Sequence, residues 1–293
     1  MKIAIQMFGH LRTYKQCYEK LFENLVNRYD CDIFIHTWDR VDHNTQTWHD
    51  YHASDTGQSK SELVADIKNI YHPTDLMVEK QRVVDMGTID SDGRQISLFG
   101  MHSMLYGMSM ANAMREKYQK KHKIKYDFVV VIRPDIYLIE PLNIESFIRP
   151  EDADASDILY TAGNYKHGGY ILNDFRFIGG SDICFFAKPD VISKIYENSD
   201  ALMKQIKNQR TSHYGPEYSF IVAIEKLKIR VLLINYLWFK QFTVLRPGDT
   251  PPPGTSVLHQ SSGHIPKWLG RIICLFIPKR KNRHHFREKY VRH

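Results

Sequence analysis

The stretch DFVVVIRPDIY, residues 127–137, joins five consecutive apolar residues to an arginine, a proline and an aspartate. A continuous apolar run of this kind is typical of a fully buried strand. Pro134 cannot donate a ladder hydrogen bond, so we expect the strand to end there. Parallel strands deliver their last residues to the ligand-binding edge of an α/β sheet, which is where we expect Arg133 and Asp135. The alternative is a charged pair that only terminates the strand.

Strands and helices alternate on both sides of this stretch. Apolar runs predict strands at 2–8, 31–38, 76–84, 157–162, 182–188 and 229–235, and helical spacing predicts helices near 14–25, 59–70, 98–111, 191–206 and 216–227. Ser59 and Glu62 form a capping box for the second of these helices. The alternation predicts an α/β fold with a mostly parallel central sheet flanked by helices.

Bulk composition narrows the class of protein. The chain has 293 residues, of which 43% are apolar, and a formal net charge of +7, which favours anionic partners. Its four cysteines show neither a CxxC pair nor zinc-finger spacing, so a reducing cytosol fits best. No signal-peptide pattern and no membrane-spanning apolar run is found, which predicts a cytoplasmic protein. The sequence also lacks Walker A, GxGxxG and HExxH motifs, which argues against kinases, dehydrogenases and metalloproteases.

The apolar strand that ends in an aspartate-bearing turn resembles the DxD site of nucleotide-sugar glycosyltransferases of the GT-A fold. FGHLRTY (8–14), DIFIHTWD (32–39) and the Arg-Pro-Asp turn are similar to segments of bacterial capsule, O-antigen and lipooligosaccharide glycosyltransferases. The resemblance implies that Asp135 is a ligand of Mn²⁺ or Mg²⁺. Arg133 replaces the motif's first carboxylate and could bind the pyrophosphate directly, which leaves metal dependence open. A literal D-x-D within residues 151–157 is interpreted as a solvated turn.

The same resemblance implies a nucleotide site at the ends of the first two strands. It makes Gly9 a candidate for close backbone approach to the nucleotide and Arg12 a candidate for phosphate contact. Trp38 is a candidate for stacking on the base, the alternative being a core aromatic residue. His36 is a candidate donor-binding residue, and its alternative is a hydrogen-bonded core histidine.

A late segment, SVLHQSSGHIPKW (256–268), resembles the HxxGxxKPW segment of retaining GT-A families. The resemblance implies that His259 is a metal ligand alongside Asp135 and that Lys267 contacts the donor phosphates. The glycine spacing and the order of lysine and proline differ from the family pattern. The alternative is that His259 and His264 are ordinary loop histidines.

Two carboxylates are candidates for the catalytic base that removes the proton of the attacking hydroxyl group, Glu217 and Asp174. Each belongs to a segment that joins a glycine-containing turn to apolar residues. Glu217 also follows Pro216, which is a plain helix N-terminal signature. Asp182 is a third candidate, at the start of a predicted strand.

The C-terminus differs in composition from the rest of the chain. Residues 269–293 join an apolar patch to a strongly basic tail, which predicts either an anchor on an anionic membrane surface or a packed helix with a solvated end. We therefore divide the chain into a GT-A-like domain, 1–268, and a tail, 269–293, with peripheral association at the inner membrane.

Together these observations predict a hexosyltransferase-like glycosyltransferase. The expected donor is a nucleotide sugar, a UDP-sugar first of all, and the acceptor is a hydroxyl of a capsule or lipooligosaccharide glycan, free or lipid-linked. One alternative is a sugar-phosphate nucleotidyltransferase or phosphosugar transferase, although FGHLRTY has a single glycine where such enzymes are glycine-rich. Another is a basic nucleic-acid-binding protein. No nucleic acid is expected, because the basic residues concentrate at the C-terminus and no binding motif appears.

Overall fold

The fold is built on eleven strands and six helices in the part of the chain that the computed structural model describes, residues 1–42, 57–82, 84–91, 94–163, 180–208, 216–238 and 240–252. The strands are β1 (Lys2–Phe8), β2 (Asp30–Trp38), β3 (Asp75–Glu79), β4 (Thr88–Ser91), β5 (Arg94–Ser97), β6 (Phe128–Ile132), β7 (Ile136–Leu138), β8 (Ile158–Gly163), β9 (Gly180–Ala187), β10 (Arg230–Leu237) and β11 (Phe242–Val244). The helices are α1 (Tyr14–Asn24), α2 (Lys60–Tyr71), α3 (Phe99–His122), α4 (Pro189–Glu197), α5 (Ser199–Lys207) and α6 (Pro216–Lys226).

Seven of these strands form one sheet in the order β10-β8-β9-β6-β1-β2-β3. β1 pairs in parallel with β2 and with β6, and β2 pairs in parallel with β3. β9 runs antiparallel to both of its neighbours, β6 and β8, so six strands share one direction. The predicted α/β architecture, a mostly parallel central sheet flanked by helices, is confirmed, and it is the architecture that the GT-A resemblance implies.

The six parallel strands all end at the same side of the sheet. We call this side the carboxyl edge; it includes the residues that follow β1, β2, β3 and β6 and the first residues of β9. The opposite side is the amino edge. An antiparallel ribbon of β7 and β11 lies beyond the end of β6. Its ladder continues at the carboxyl edge, where the Leu245 amide donates to the Asp135 carbonyl over 3.0 Å.

Apolar residues cover both faces of the sheet because alternate side chains of each strand point to opposite faces. On one face, Ile5 and Ile35 pack with residues of α1, α2 and the β7–β11 ribbon. On the other face, Phe8 and Phe34 pack with residues of α3, α4, α5 and α6. Residues Met1–Pro251 form one compact unit. The domain boundary predicted at residue 268 lies outside the described residues.

The predicted capping box at the start of α2 is present. The Ser59 hydroxyl accepts from the Glu62 amide, and the Glu62 carboxylate accepts from the Ser59 amide. The helix ends at Tyr71, where His72 adopts a left-handed conformation with φ of 44°.

One helix predicted over 191–206 is instead two, α4 and α5. The break falls at Asn198, whose φ of −106° is not helical. The Asn198 side-chain amide donates to the Lys194 carbonyl over 2.7 Å, a local bond that competes with continued helix. No described helix combines the length and apolarity that a membrane-spanning segment needs.

Candidate functional site

Three arginines from distant parts of the chain converge on Asp135 at the carboxyl edge. Arg133 binds both carboxylate oxygens, with its Nε 2.9 Å from Oδ1 and one terminal nitrogen on Oδ2. Arg12 Nη1 and Arg246 Nη1 donate to the same Oδ2 over 3.0 and 3.1 Å. Arg12 also donates from Nε to Asp42 over 3.1 Å. We call these five residues the arginine cluster.

The loop between β1 and α1 places Arg12 through two backbone conformations in the left-handed region. Gly9 has φ of 88° and Arg12 has φ of 47°. The Arg12 amide donates to the Val41 carbonyl over 2.8 Å, and the Thr37 hydroxyl donates to the Gly9 carbonyl over 2.9 Å. A left-handed arginine is conformationally costly and persists where its surroundings fix it, which is common at functional sites.

A third segment, the end of β11, places Arg246. Leu245, the residue before it, donates its amide to the Asp135 carbonyl and accepts from the Thr13 hydroxyl over 2.8 Å. The Arg246 amide donates to the Asp249 carboxylate over 2.7 Å. The chain therefore fixes the backbone on both sides of Asp135 and of Arg246.

Electrostatics in the arginine cluster favour an anionic ligand. Burial alone would raise the pKa of Asp135, but the charges of Arg133, Arg12 and Arg246 outweigh burial and lower this pKa to about 2. The pKa of Arg246 falls to about 10, first because of burial and then because of repulsion by Arg133 and Arg12. Within the arginine cluster, as far as the chain is described, three guanidinium groups pair with two carboxylates, which gives these five residues a net charge of one positive unit. The arginine side chains are 14–28% exposed, so the excess charge is within reach of a ligand.

The predicted role of Asp135 as a ligand of Mn²⁺ or Mg²⁺ does not fit this geometry. Its side chain has no exposed surface, and both oxygens already accept from guanidinium groups. A divalent cation at Asp135 would have to displace arginines and would meet three positive charges. Across the described ranges, no group of three or more His, Cys, Asp and Glu side chains is suited to hold a metal. Asp135 instead accepts hydrogen bonds from three arginines.

A second group of side chains lies where β2 and β3 end beside α3. It consists of His36, Trp38, Glu79 and Tyr106, and we call it the Tyr106 cluster. The rings of Trp38 and Tyr106 stack, with centroids 5.9 Å apart and an interplanar angle of 17°. His36 Nε2 lies 2.9 Å from Glu79 Oε2, and the Tyr106 hydroxyl donates to the same oxygen over 3.0 Å. The edge of the His36 ring faces Trp38 at 5.0 Å.

His36 is a buried, neutral histidine in this cluster. Burial lowers the pKa of His36 more strongly than the Glu79 carboxylate raises it. A neutral ring that donates from Nε2 to Glu79 has its lone pair on Nδ1, an atom for which the described residues offer no hydrogen-bond partner. The pKa of Glu79 is raised by partial burial, but hydrogen bonds from His36 and Tyr106 lower it overall. Glu79 is therefore a carboxylate that holds two side chains in place.

The structure brings six of the predicted site residues to the carboxyl edge. Gly9, Arg12, Arg133 and Asp135 lie in or beside the arginine cluster, and His36 and Trp38 lie in the Tyr106 cluster. His36 has no exposed surface and Trp38 is 6% exposed, so both match the core alternative and neither presents a ring to a ligand.

The predicted catalytic carboxylates are largely outside the described residues. Glu217 lies in the first turn of α6, but its side chain is not described. Asp174, His259 and Lys267 lie outside the described ranges, as do residues 269–293. Asp182, the third candidate base, is 5% exposed and lies at the carboxyl edge at the start of β9.

The turn predicted at residues 151–157 is not simply solvated. Asp152 is buried, and Arg230 donates to it over 3.3 Å and to Asp157 over 2.9 Å. Arg230 begins β10, so this ion-pair group lies at the amino edge, away from the arginine cluster.

Sequence reasoning missed four site residues: Asp42, Glu79, Tyr106 and Arg246. The sequence does contain a pattern that could have identified Arg246, because Arg246-Pro247 follows an apolar strand just as Arg133-Pro134 does. No sequence pattern identifies Tyr106, since helical spacing indicates that its neighbours Leu105 and Met108 form the buried face instead.

Comparison with known proteins gives a likeness to solved structures only, and it is distant. No family model and no curated protein matches the chain. Among solved structures, the chain is similar to a glycosyltransferase involved in the glycosylation of the major capsid of PBCV-1, with 10% sequence identity and a TM-score of 0.36. The match covers 83% of this chain and 91% of that one. At this identity and TM-score, nothing follows for the donor or acceptor of this chain.

Proposed function

We propose that this protein is a glycosyltransferase that moves a sugar from a nucleoside-diphosphate sugar to a hydroxyl group of a glycan acceptor. The observation that supports this proposal most strongly is the arginine cluster at the carboxyl edge. Ligands of open α/β sheets bind beyond the carboxyl ends of the strands, and guanidinium groups are well suited to bind phosphate oxygens. A diphosphate would neutralise the excess charge that Asp135 and Asp42 leave uncompensated.

The same arginines would assist the chemical step. The acceptor oxygen forms a bond to the sugar C1 as the bond from C1 to the diphosphate oxygen breaks, and the bonding electrons leave with the diphosphate. Negative charge therefore grows on the leaving group, where preorganised cationic donors stabilise it. The acceptor proton passes to a carboxylate base, for which Glu217 and Asp174 remain the sequence candidates.

We extend the proposal to a UDP-sugar donor and to a capsule or lipooligosaccharide acceptor on the resemblance of the RPD, FGHLRTY and DIFIHTWD segments. The basic tail, 269–293, would hold the protein at an anionic membrane surface where lipid-linked acceptors occur. A sugar-phosphate nucleotidyltransferase is the competing proposal, since a cluster that binds a diphosphate also suits released pyrophosphate.

The test compares two arginine variants of the full chain. Arg246→Gln removes a charge-assisted contact at the carboxyl edge, and we expect UDP affinity measured by calorimetry to fall about 10- to 150-fold. Arg230→Gln is the matched control, because Arg230 also pairs with a buried aspartate, Asp152, but lies at the amino edge. We expect this control to bind UDP as the unaltered protein does.

Activity is measured on the same proteins by release of UDP from a panel of UDP-sugars, with and without glycan acceptors. Slow donor hydrolysis that Arg246→Gln reduces and Arg230→Gln preserves would support the proposal. Pyrophosphate release from UTP and a sugar phosphate would favour the nucleotidyltransferase instead. Absence of UDP binding, or equal losses in the two variants, would contradict a diphosphate site at the arginine cluster.

A further inference from the structure

Tyr106 is an unusual residue at the carboxyl edge because its large ring is exposed. It is 36% exposed, whereas Trp38, which stacks against it, is 6% exposed. Most large apolar side chains of the described residues are buried, and Tyr106 shares its exposure only with Met1 and Val84 among those ranges. Of these three residues, Tyr106 is the one that contacts the Tyr106 cluster residues Trp38 and Glu79.

The position of the Tyr106 ring is fixed from two directions. The Trp38 ring supports its face, and its hydroxyl donates to Glu79 Oε2 over 3.0 Å. Glu79 is held in turn by His36 Nε2 at 2.9 Å. A side chain restrained at its ring and at its hydroxyl loses little further freedom on binding a ligand, so the exposed ring is preorganised.

Close packing of α3 against the sheet brings Tyr106 to this place. Gly107, the next residue, has no side chain to separate the helix from β2. A Cβ atom there would lie 3.1 Å from His36 Nδ1 and 3.6 Å from the Gly9 amide nitrogen. The glycine thus lets the helix approach the ends of β1 and β2 together, which sets Tyr106 beside the loop that carries Arg12.

We propose that Tyr106 is the platform on which the nucleobase of the donor stacks, with Trp38 and Glu79 as positioning residues. This inference rests on the proposed function and identifies the nucleoside end of the same site. Trp38 supports the platform from below, and its burial prevents it from stacking on the base itself. Aromatic rings bind nucleobases by stacking because every base has a π face.

The base platform and the arginine cluster are connected through the loop between β1 and α1. The ring of His10 lies 6.4 Å from that of Trp38. His10 is two residues before Arg12, so their Cα atoms are separated by at most about 7 Å. A ligand with an aromatic base at one end and a diphosphate at the other matches this arrangement of a ring and guanidinium groups.

The experiment compares two probes on the full-length protein by calorimetry. Inorganic pyrophosphate reports on the arginine cluster alone, and UDP reports on both ends of the site. We expect Tyr106→Ala to weaken UDP binding about 5- to 150-fold and to change pyrophosphate binding by less than about twofold. Tyr106→Phe keeps the ring and loses only the hydroxyl, so it should restore most of the UDP affinity.

Tyr118→Ala is the matched control on the same helix. Tyr118 packs against Phe34 at 5.7 Å and belongs to the opposite end of α3, so its loss should leave both affinities unchanged. Equal UDP affinity in Tyr106→Ala and the unaltered protein would overturn the platform and leave the proposed function standing. Equal weakening of UDP and pyrophosphate would also overturn it, since Tyr106 would then act on the arginine cluster. Failure of the unaltered protein to bind either probe would instead contradict the proposed function.

Discussion

At the scale of single residues, the charge of Asp135 and the charges of its three arginines depend on one another. A fully buried carboxylate without partners would lose its hydration, and clustered guanidinium groups without a carboxylate would repel. Burial first, and then repulsion by Arg133 and Arg12, lowers the pKa of Arg246. We therefore expect the arginine cluster to depend on Asp135, whose side chain has no exposed surface.

Replacing Asp135 by Asn tests this dependence. Removal of one partner from a buried ion pair leaves uncompensated charges, and we expect the free energy of unfolding to fall by about 3–5 kcal/mol. Urea denaturation measures the change. Asp154→Asn, at an exposed position, is the control and should alter the free energy by less than about 0.5 kcal/mol. A loss at Asp135 no larger than that of the control would contradict the dependence.

The difference in unfolding free energy between the unaltered protein and Asp135→Asn should depend on pH. The pKa of Asp135 falls from its ordinary value of 3.8 to about 2 in the folded protein. A depressed carboxylate pKa gives stability that is complete above the unfolded value and is lost as the pH falls through the folded value. The difference between the unaltered protein and Asp135→Asn should therefore be constant above about pH 5 and shrink between about pH 4 and pH 2. A difference that already shrinks near neutral pH would contradict the assignment.

The position of Asp135 and its pairing with Arg133 could be predicted from the sequence, but its other two partners could not. An apolar run followed by Arg-Pro-Asp places the residue at a strand end by local rules alone. Arg12 and Arg246 are 123 and 111 residues away from it, so no local pattern connects them. The predicted metal role of Asp135 took no account of these arginines, because only the fold brings them to the carboxylate.

At the scale of elements, the loop between β1 and α1 determines where Arg12 lies. Gly9 adopts φ of 88°, a conformation that is costly for a residue with a Cβ atom, although a Cβ at this position would meet nothing within 4 Å. The cost of substitution is therefore conformational rather than steric. Any shift of this loop would also move Arg12, which lies three residues further along the chain.

Gly9→Ala should destabilise the fold by about 1–2 kcal/mol and weaken UDP binding. Gly57→Ala is a matched control, because Gly57 has φ of 64° and equally open surroundings but precedes α2, outside the arginine cluster. We expect similar losses of stability in urea and a loss of UDP affinity in Gly9→Ala alone. Equal UDP affinities in the two variants would show that the Gly9 conformation does not position the arginine.

Some helix boundaries can be predicted from local sequence and others cannot. The capping box of α2 was predicted correctly because Ser59 and Glu62 satisfy backbone groups within the same turn. The break between α4 and α5 was missed because the apolar spacing continues across it, while Asn198 ends the first helix through its side-chain bond to Lys194. Apolar periodicity reports which face is buried and does not report whether the backbone is continuous.

At the scale of the whole molecule, the α/β class was predictable and the strand order was not. Strands buried on both faces appear as continuous apolar runs, such as Phe128–Ile132, and these identify the class. The order of strands depends on crossovers between distant segments, and the antiparallel β9 leaves no mark in its own sequence. The shared direction of the remaining strands is what assembles the two clusters at one edge.

The cationic character of that edge leads to a prediction for the whole protein. UDP binding should persist in EDTA within about twofold, because guanidinium groups rather than metal-bound carboxylates neutralise the diphosphate. It should weaken as salt is raised from about 0.05 M to about 0.5 M, since the chain carries a net charge of +7 and screening reduces attraction to an anion. Calorimetry in the two buffers measures both effects, and uridine, which lacks the diphosphate, is the control that salt should affect least.

A gain in UDP affinity of more than about tenfold on adding Mn²⁺ would contradict the prediction, because a single arginine contact is worth a change of that order. It would indicate that carboxylates or histidines outside the described residues, His259 among them, bring a cation to the diphosphate.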